Sequence, residues 1–254
     1  MKRAAVLAYG VLVYAMFLGV FLYAVGFIGN FLVPKSIDSA PQVPFLQALL
    51  TNVALLGVFG LQHSVMARPA FKRWLTSWLS PAIERSTYVL ATNLALILLF
   101  WGWQPMGGMV WNVEEPIGQA VLYGLCAFGW LLVLVTTFLI NHFDLFGLRQ
   151  VWLYALGKPY TPLRFVTPGP YKLVRHPLYV GWFLAIWCTP QMTVTHMLFA
   201  LVTAAYIVAA ISLEERDLID AHPEYQAYRR QVPKLLPRFR PVRGQQQAND
   251  ADVV

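Results

Sequence analysis

Two short segments, far apart in the chain, carry residue types suited to recognition or catalysis. The first is Arg175-His176-Pro177-Leu178-Tyr179-Val180-Gly181, preceded by Gly169-Pro170-Tyr171. The second is Glu214-Glu215, followed by Tyr225 and Tyr228. An arginine fork, a titratable imidazole and two carboxylates are the parts of a charge-assisted binding site. Adjacent carboxylates at the edge of an apolar run are costly unless paired or solvated. If the helix continues through them, one faces its neighbours and the other faces water. Arg175 opens one apolar segment and Glu214 closes the next, so both fall at the same end. An Arg–Glu pair with a ligand between its members is then within geometric reach. The same residues also fit a structural ion pair, with His176 capping a helix that starts at Pro177. Tyr225 and Tyr228 share one helical face, and they read equally well as an interfacial aromatic anchor.

A third candidate group lies in the loop at 141–177, which begins Asn141-His142-Phe143-Asp144-Leu145-Phe146-Gly147-Leu148-Arg149. His142 and Asp144 are potential proton acceptors. Gly157-Lys158-Pro159-Tyr160 and Thr167-Pro168-Gly169-Pro170 predict turns rather than helix. No G-x-G-x-x-G, P-loop or H-E-x-x-H pattern occurs, and the five histidines lack metal-ligand spacing. Cys126 and Cys188 sit in apolar runs and read as buried thiols, not a disulfide framework.

The elements that position these residues follow from composition. Of 254 residues, 58% are hydrophobic and 12% charged, about half the usual charged share. Mean hydropathy is +0.54. An ordinary cytosolic enzyme, a disordered chain and a disulfide scaffold are excluded, which leaves an integral membrane protein. Uncharged stretches occur at 4–28, 45–65, 86–103, 117–140 and 178–213. The first four suit one crossing each. The fifth is too long for one and breaks at Pro190, which predicts a hairpin with a short arm from Pro177 to Thr189 and a long arm from Val194 to Leu213. Asn52, Gln62, His63, Asn93 and His196 fall within the apolar stretches as interhelical contacts or the lining of a polar cavity.

Charge sets the orientation. Two Lys/Arg precede the first stretch, four lie at 66–85, five at 141–177 and seven after Leu213. The intervening loops hold one, Lys35. That asymmetry predicts six crossings with both termini cytoplasmic, and it accounts for the net charge of +7 without a nucleic-acid partner. The N-terminal run is longer than the apolar core of a signal peptide and reads as a retained anchor. The expected division is a four-helix part at 1–140, a site-forming part at 141–240 and a flexible tail at 241–254.

The combination of Gly169-Pro170-Tyr171, Arg175 to Gly181, Glu214-Glu215, Tyr225 and Tyr228 resembles the isoprenylcysteine carboxyl methyltransferase superfamily over roughly 165–238. Gln62-His63-Ser64-Val65-Met66-Ala67-Arg68-Pro69, Glu84 to Tyr88, and Asn141 to Gln150 are similar to the branch containing nurim and the bacterial methanethiol S-methyltransferases. Pro223 departs from the pattern, since relatives often place a glycine near that turn. The resemblance implies an all-α membrane enzyme of a bacterial inner membrane. It would transfer a methyl group from S-adenosylmethionine (SAM) to methanethiol and release dimethyl sulfide. It further implies a cofactor site built from Tyr171, Arg175, His176, Tyr179, Glu214 and, more weakly, Glu215. A small thiol with a pKa of roughly 8.5 is mostly protonated at neutral pH, so a base assists. His142 or Asp144 is expected to take the proton, and a closed apolar pocket to select the thiol. Other thiol or lipid acceptors, a sterol-reductase-type enzyme and a non-catalytic nurim-like protein are the competing readings.

Overall fold

The computed structural model describes residues 2–237. The expected tail at 241–254 lies outside the described residues. Five helices are long and apolar enough to cross a membrane: α1 (Lys2–Gly29), α2 (Phe45–Ala67), α4 (Pro81–Gly102), α5 (Pro116–Ile140) and α9 (Val194–Ala221). Between them stand the short helices α3 (Pro69–Thr76), α6 (His142–Leu145), α7 (Leu148–Ala155) and α8 (Pro177–Trp187), and α10 (Tyr225–Gln231) follows α9. Proline occupies the first turn of α3, α4, α5 and α8, where its missing donor costs nothing. Ser80 and Glu115 add side-chain caps to α4 and α5.

The apolar residues divide into a core and an outer belt. Phe27, Leu99, Trp103, Ile186 and Ala200 are buried. The Trp103 indole donates to the Ile37 carbonyl at 3.1 Å, which satisfies its polar edge inside the core. Leu12, Leu22, Leu61 and Trp101 are largely exposed. Water does not tolerate that much contiguous apolar surface, but lipid does.

The loops gather at two ends. Trp103 bonds to Ile37, and Thr193 donates to Asp38, so the segments at 30–44, 103–115 and 188–193 meet at one end. There β1 (Met109–Asn112) pairs antiparallel with β2 (Gln191–Thr193). Sequence patterning predicts loops at both places. The ribbon forms because two connections at one bundle end satisfy each other's backbone groups. The opposite end holds an ion pair between Arg68 and Asp217 at 3.0 Å and the Arg175–Glu215 pair described below. The basic loops therefore lie together, apart from the charge-poor ones.

The predicted hairpin forms with different bounds. Its short arm ends at Trp187, and its long arm runs on to Ala221 without a break at the carboxylates. At 11 residues, α8 is about 16 Å long. It packs along α5 through two glycines: a β-carbon on Gly181 would lie 2.8 Å from the Gly129 carbonyl oxygen and 2.9 Å from the Val133 nitrogen. Such close backbone approach is how small residues join helices in lipid. The five polar residues of the apolar stretches mostly bond between elements. Asn52 clasps Gln104, Asn93 donates to Val13, His196 meets the Ile186 carbonyl at 2.8 Å, and His63 meets Tyr88. Gln62 instead reaches Met66 within α2.

Gly181→Leu forces the α5 and α8 backbones apart. The expected loss is at least about 1–3 kcal/mol, the usual range for overpacking. Thermal unfolding in detergent reads it as a lowered midpoint, and an unchanged midpoint would contradict this packing.

Candidate functional site

The site is organised by one carboxylate oxygen. Glu215 Oε1 accepts from Arg175 Nε at 2.7 Å, His176 Nε2 at 3.1 Å and the Tyr225 hydroxyl at 3.4 Å. Both charged side chains are deeply buried, Arg175 8% and Glu215 4% exposed. Arg229 approaches the other Glu215 oxygen at 3.6 Å. Nη1 of Arg175 turns to backbone and donates to the carbonyls of Arg229 and Val232 at 2.9 and 2.5 Å. The backbone amides of Arg175 and His176 donate to Pro233 and Lys234. These bonds tie the start of α8 to the segment beyond α10.

His176 is not the helix cap that its position suggests, because its side chain makes no capping bond to α8. A carboxylate only accepts, so Nε2 carries the proton toward Glu215. Nδ1 then faces Glu214 Oε2 at 3.8 Å. Tyr179, one helical turn on, donates its hydroxyl to the same Glu214 oxygen at 2.9 Å.

The two glutamates therefore divide the work. Helix α9 turns Glu215 inward and leaves Glu214 45% exposed, with a single hydrogen bond among the described residues. Burial, and next the Glu214 charge, push the Tyr171 phenol above its ordinary pKa. Tyr171 sits in a 3-10 turn at Gly169–Lys172, and its carbonyl accepts from Tyr228 at 2.5 Å. Tyr225 and Tyr228 are thus part of the site rather than a surface anchor. Phe165 packs against both rings, a partner that nothing in the sequence marks.

His142 and Asp144 form a second group where α5 ends. Asn141, at the unusual φ of 151°, turns the chain and caps α6 by accepting from the Asp144 amide. Thr137 donates its hydroxyl to the Leu134 carbonyl at 2.6 Å, which leaves its oxygen to accept from His142 Nδ1 at 2.8 Å. The lone pair is then on Nε2 and accepts from the Tyr14 hydroxyl at 2.8 Å. Burial holds this imidazole below its ordinary pKa. Asp144 pairs with Arg149 at 2.8 Å and accepts from Tyr160 at 3.3 Å. No hydrogen bond or ion pair joins this group to the Glu215 cluster among the described residues.

His142, Asp144, Tyr171, Arg175, His176, Tyr179, Glu214 and Glu215 lie within residues 130–220, which match the model of the isoprenylcysteine carboxyl methyltransferase family. The matching residues are those of a methyltransferase family, and the long apolar helices are those of a membrane protein. Over 238 residues and 93% of each chain, the protein is 58% identical to a methanethiol S-methyltransferase of Crocosphaera subtropica. It is 50% identical to the Mycobacterium tuberculosis methanethiol S-methyltransferase, over 93% of this chain and 98% of that one. Nurim of Mus musculus is 31% identical over 68% of this chain and 69% of its own length. The chain belongs to the methanethiol S-methyltransferase branch of the isoprenylcysteine carboxyl methyltransferase family. No solved structure matches it.

Glu215→Ala strands the buried Arg175 charge. Breaking a buried pair from one side costs about 3–5 kcal/mol, so the thermal midpoint should fall steeply, whereas Glu214→Ala should barely move it. Equal shifts for the two variants would contradict the division of labour between the carboxylates.

Proposed function

We propose that the protein methylates methanethiol with SAM, giving dimethyl sulfide and S-adenosylhomocysteine. The observation that carries this reading is that relatives named for methanethiol are similar over 93% of the chain. The polar end of the bundle faces the cytoplasm, where the soluble methyl donor is found. Six crossings, with α8 as the short one and both termini cytoplasmic, fit the grouping of loops. The inner membrane of a bacterium, its lipids and a small volatile thiol are the surroundings and substrate this implies.

The proposed cofactor site is Tyr171, Arg175, His176, Tyr179, Glu214 and Glu215, all within the part at 141–240. The chemistry of the donor set fits SAM. Glu214 offers a half-exposed negative charge, and the Tyr171 and Tyr179 rings offer electron-rich faces, which together suit a sulfonium and an ammonium. When bound, SAM supplies an activated methyl group on a positively charged sulfur. The residues of the chain do the rest. Arg175, His176 and Glu215 fix the frame, while Tyr179 holds Glu214 in place.

In the transfer, a carbon–sulfur bond forms at the acceptor as the donor's breaks, and the thiol proton must leave. His142 or Asp144 is proposed to take it. A neutral imidazole with its lone pair on Nε2 is equipped as a base. Tyr14 can pass its proton to that nitrogen while accepting one from the thiol. Asp144 is an alternative acceptor, oriented by Arg149 and Tyr160.

Purified protein supplied with SAM and methanethiol should release dimethyl sulfide, read by headspace gas chromatography, in step with S-adenosylhomocysteine. General-base roles contribute about 10²–10⁴-fold. At least one of His142→Ala and Asp144→Asn should therefore lower kcat by that order while SAM affinity is kept. Near-normal turnover in both would remove the base role from these residues.

A further inference from the structure

Helix α8 is clamped at its start by the Glu215 node, and the structure holds its far end as well. The last carbonyls of a helix lack intrahelical partners, and in α8 each one finds a partner. Leu184 accepts from the Cys188 amide and Trp187 from the Thr189 amide. Ala185 accepts from the Cys126 thiol at 3.3 Å. Ile186 accepts from His196 Nε2 of α9 at 2.8 Å. That last partner is a buried imidazole, 1% exposed, which the proposed reaction does not use.

The bond to Ile186 fixes one ring proton. A carbonyl only accepts, so Nε2 is protonated. Nδ1 has no hydrogen-bond partner among the described residues and faces Asp38 Oδ2 at 3.8 Å. A bare lone pair turned toward a carboxylate inside protein is repelled, whereas a second ring proton makes the same contact attractive. A cation also suits the C-terminal end of a helix, where the macrodipole is negative. Asp38 is placed as the counter-charge. One of its oxygens accepts from Thr193, and Oδ2 accepts from Asn30 at 2.8 Å. Burial pushes the Asp38 carboxyl up, but His196, Thr193 and Asn30 outweigh it and hold the carboxyl below its ordinary range. Lys35 of the same segment turns away to the Trp101 carbonyl.

We propose that His196, protonated on both ring nitrogens and paired with Asp38, is a positioning residue for the methyl-donor site. It caps the far end of α8 and so sets the course of the helix that carries Tyr179. The inference rests on the SAM reading and deepens it. The close contact at Gly181 pins α8 to α5 at one level, and a rod held at one level can still pivot. His196 and Ile186 join α9 to α8 on one side of that contact, and Tyr179 and Glu214 join them on the other. Ile186 stands two helical turns beyond Tyr179, about 10 Å along the axis. A tilt released at the cap therefore moves the Tyr179 hydroxyl off Glu214. Asp38 lies in the segment between α1 and α2, so a carboxylate at one end of the bundle bears on the cofactor site at the other.

The test is isothermal titration of SAM in detergent at about pH 7.5 and about pH 6, each variant expressed as a ratio to wild type at the same pH and held below its own thermal midpoint. A misplaced α8 lowers apparent affinity by the fraction of molecules still competent. His196→Leu removes the cap and should weaken SAM binding about fivefold or more at both pH values. Asp38→Asn keeps the neutral hydrogen bonds but takes away the counter-charge, so His196 loses its second proton at the higher pH. Binding should weaken roughly twofold to fivefold there, the effect of one charge at a helix end, and recover at the lower pH, where solvent returns the proton. If His196→Leu fails to fold, Asp38→Asn carries the test alone. Weakening in Asp38→Asn that does not recover would overturn the charged pair. Wild-type affinity in the folded variants at both pH values would overturn the positioning role and leave the cofactor reading standing. Wild-type protein that does not bind SAM would overturn the cofactor reading, and this role with it.

Discussion

A carboxylate surrounded by apolar helices must be neutralised, and Glu215 meets that constraint with three donors on one oxygen. The bonds it accepts come from the start of α8 and from α10, while Glu215 itself belongs to α9. One residue thus joins three elements, reaching Arg175 across 40 positions of sequence and Tyr225 across 10. In the interior each such bond is electrostatically stronger than in water, and each missing partner is more costly. The node is consequently rigid, and rigidity is what a site needs to hold a neighbouring group ready. That neighbour is Glu214, half exposed and steadied by Tyr179.

The membrane imposes the second constraint. Backbone groups must be satisfied within helices, and helix association cannot rely on the hydrophobic effect. Gly129 and Gly181 answer this by letting α5 and α8 touch backbone to backbone. The contact fixes α8, and with it Arg175, His176 and Tyr179. Where α5 ends, Asn141 turns the chain sharply, and His142 is clamped between Thr137 and Tyr14. The polar groups at this end thus sit on or directly beside α1, α5, α6, α8, α9 and α10.

Much of this is legible in the sequence. The long apolar runs and their flanking charges mark the helices, and the Pro190 break marks the hairpin. Arg175, His176, Tyr179, Glu214 and Glu215 stand out because charge is scarce, and the structure brings all five together. Their roles are less legible. Two adjacent glutamates look alike on paper. Only the helical phase of α9 relative to α8 decides that Glu215 is buried and Glu214 half exposed. The partners of His142 were hidden for another reason: Tyr14 and Thr137 sit in apolar helices, where a lone hydroxyl gives no signal. The β1–β2 ribbon was invisible because neither strand has a pattern of its own, and each forms only against the other.

The central claim is that a rigid Glu215 node presents a separate, ligand-facing Glu214–Tyr179 pair. Isothermal titration of SAM into Glu214→Gln and Tyr179→Phe, each checked for an intact thermal midpoint, tests it most directly. The account requires SAM binding to be lost or strongly weakened in well-folded protein. Full affinity in both variants would contradict it and move the cofactor away from this pair.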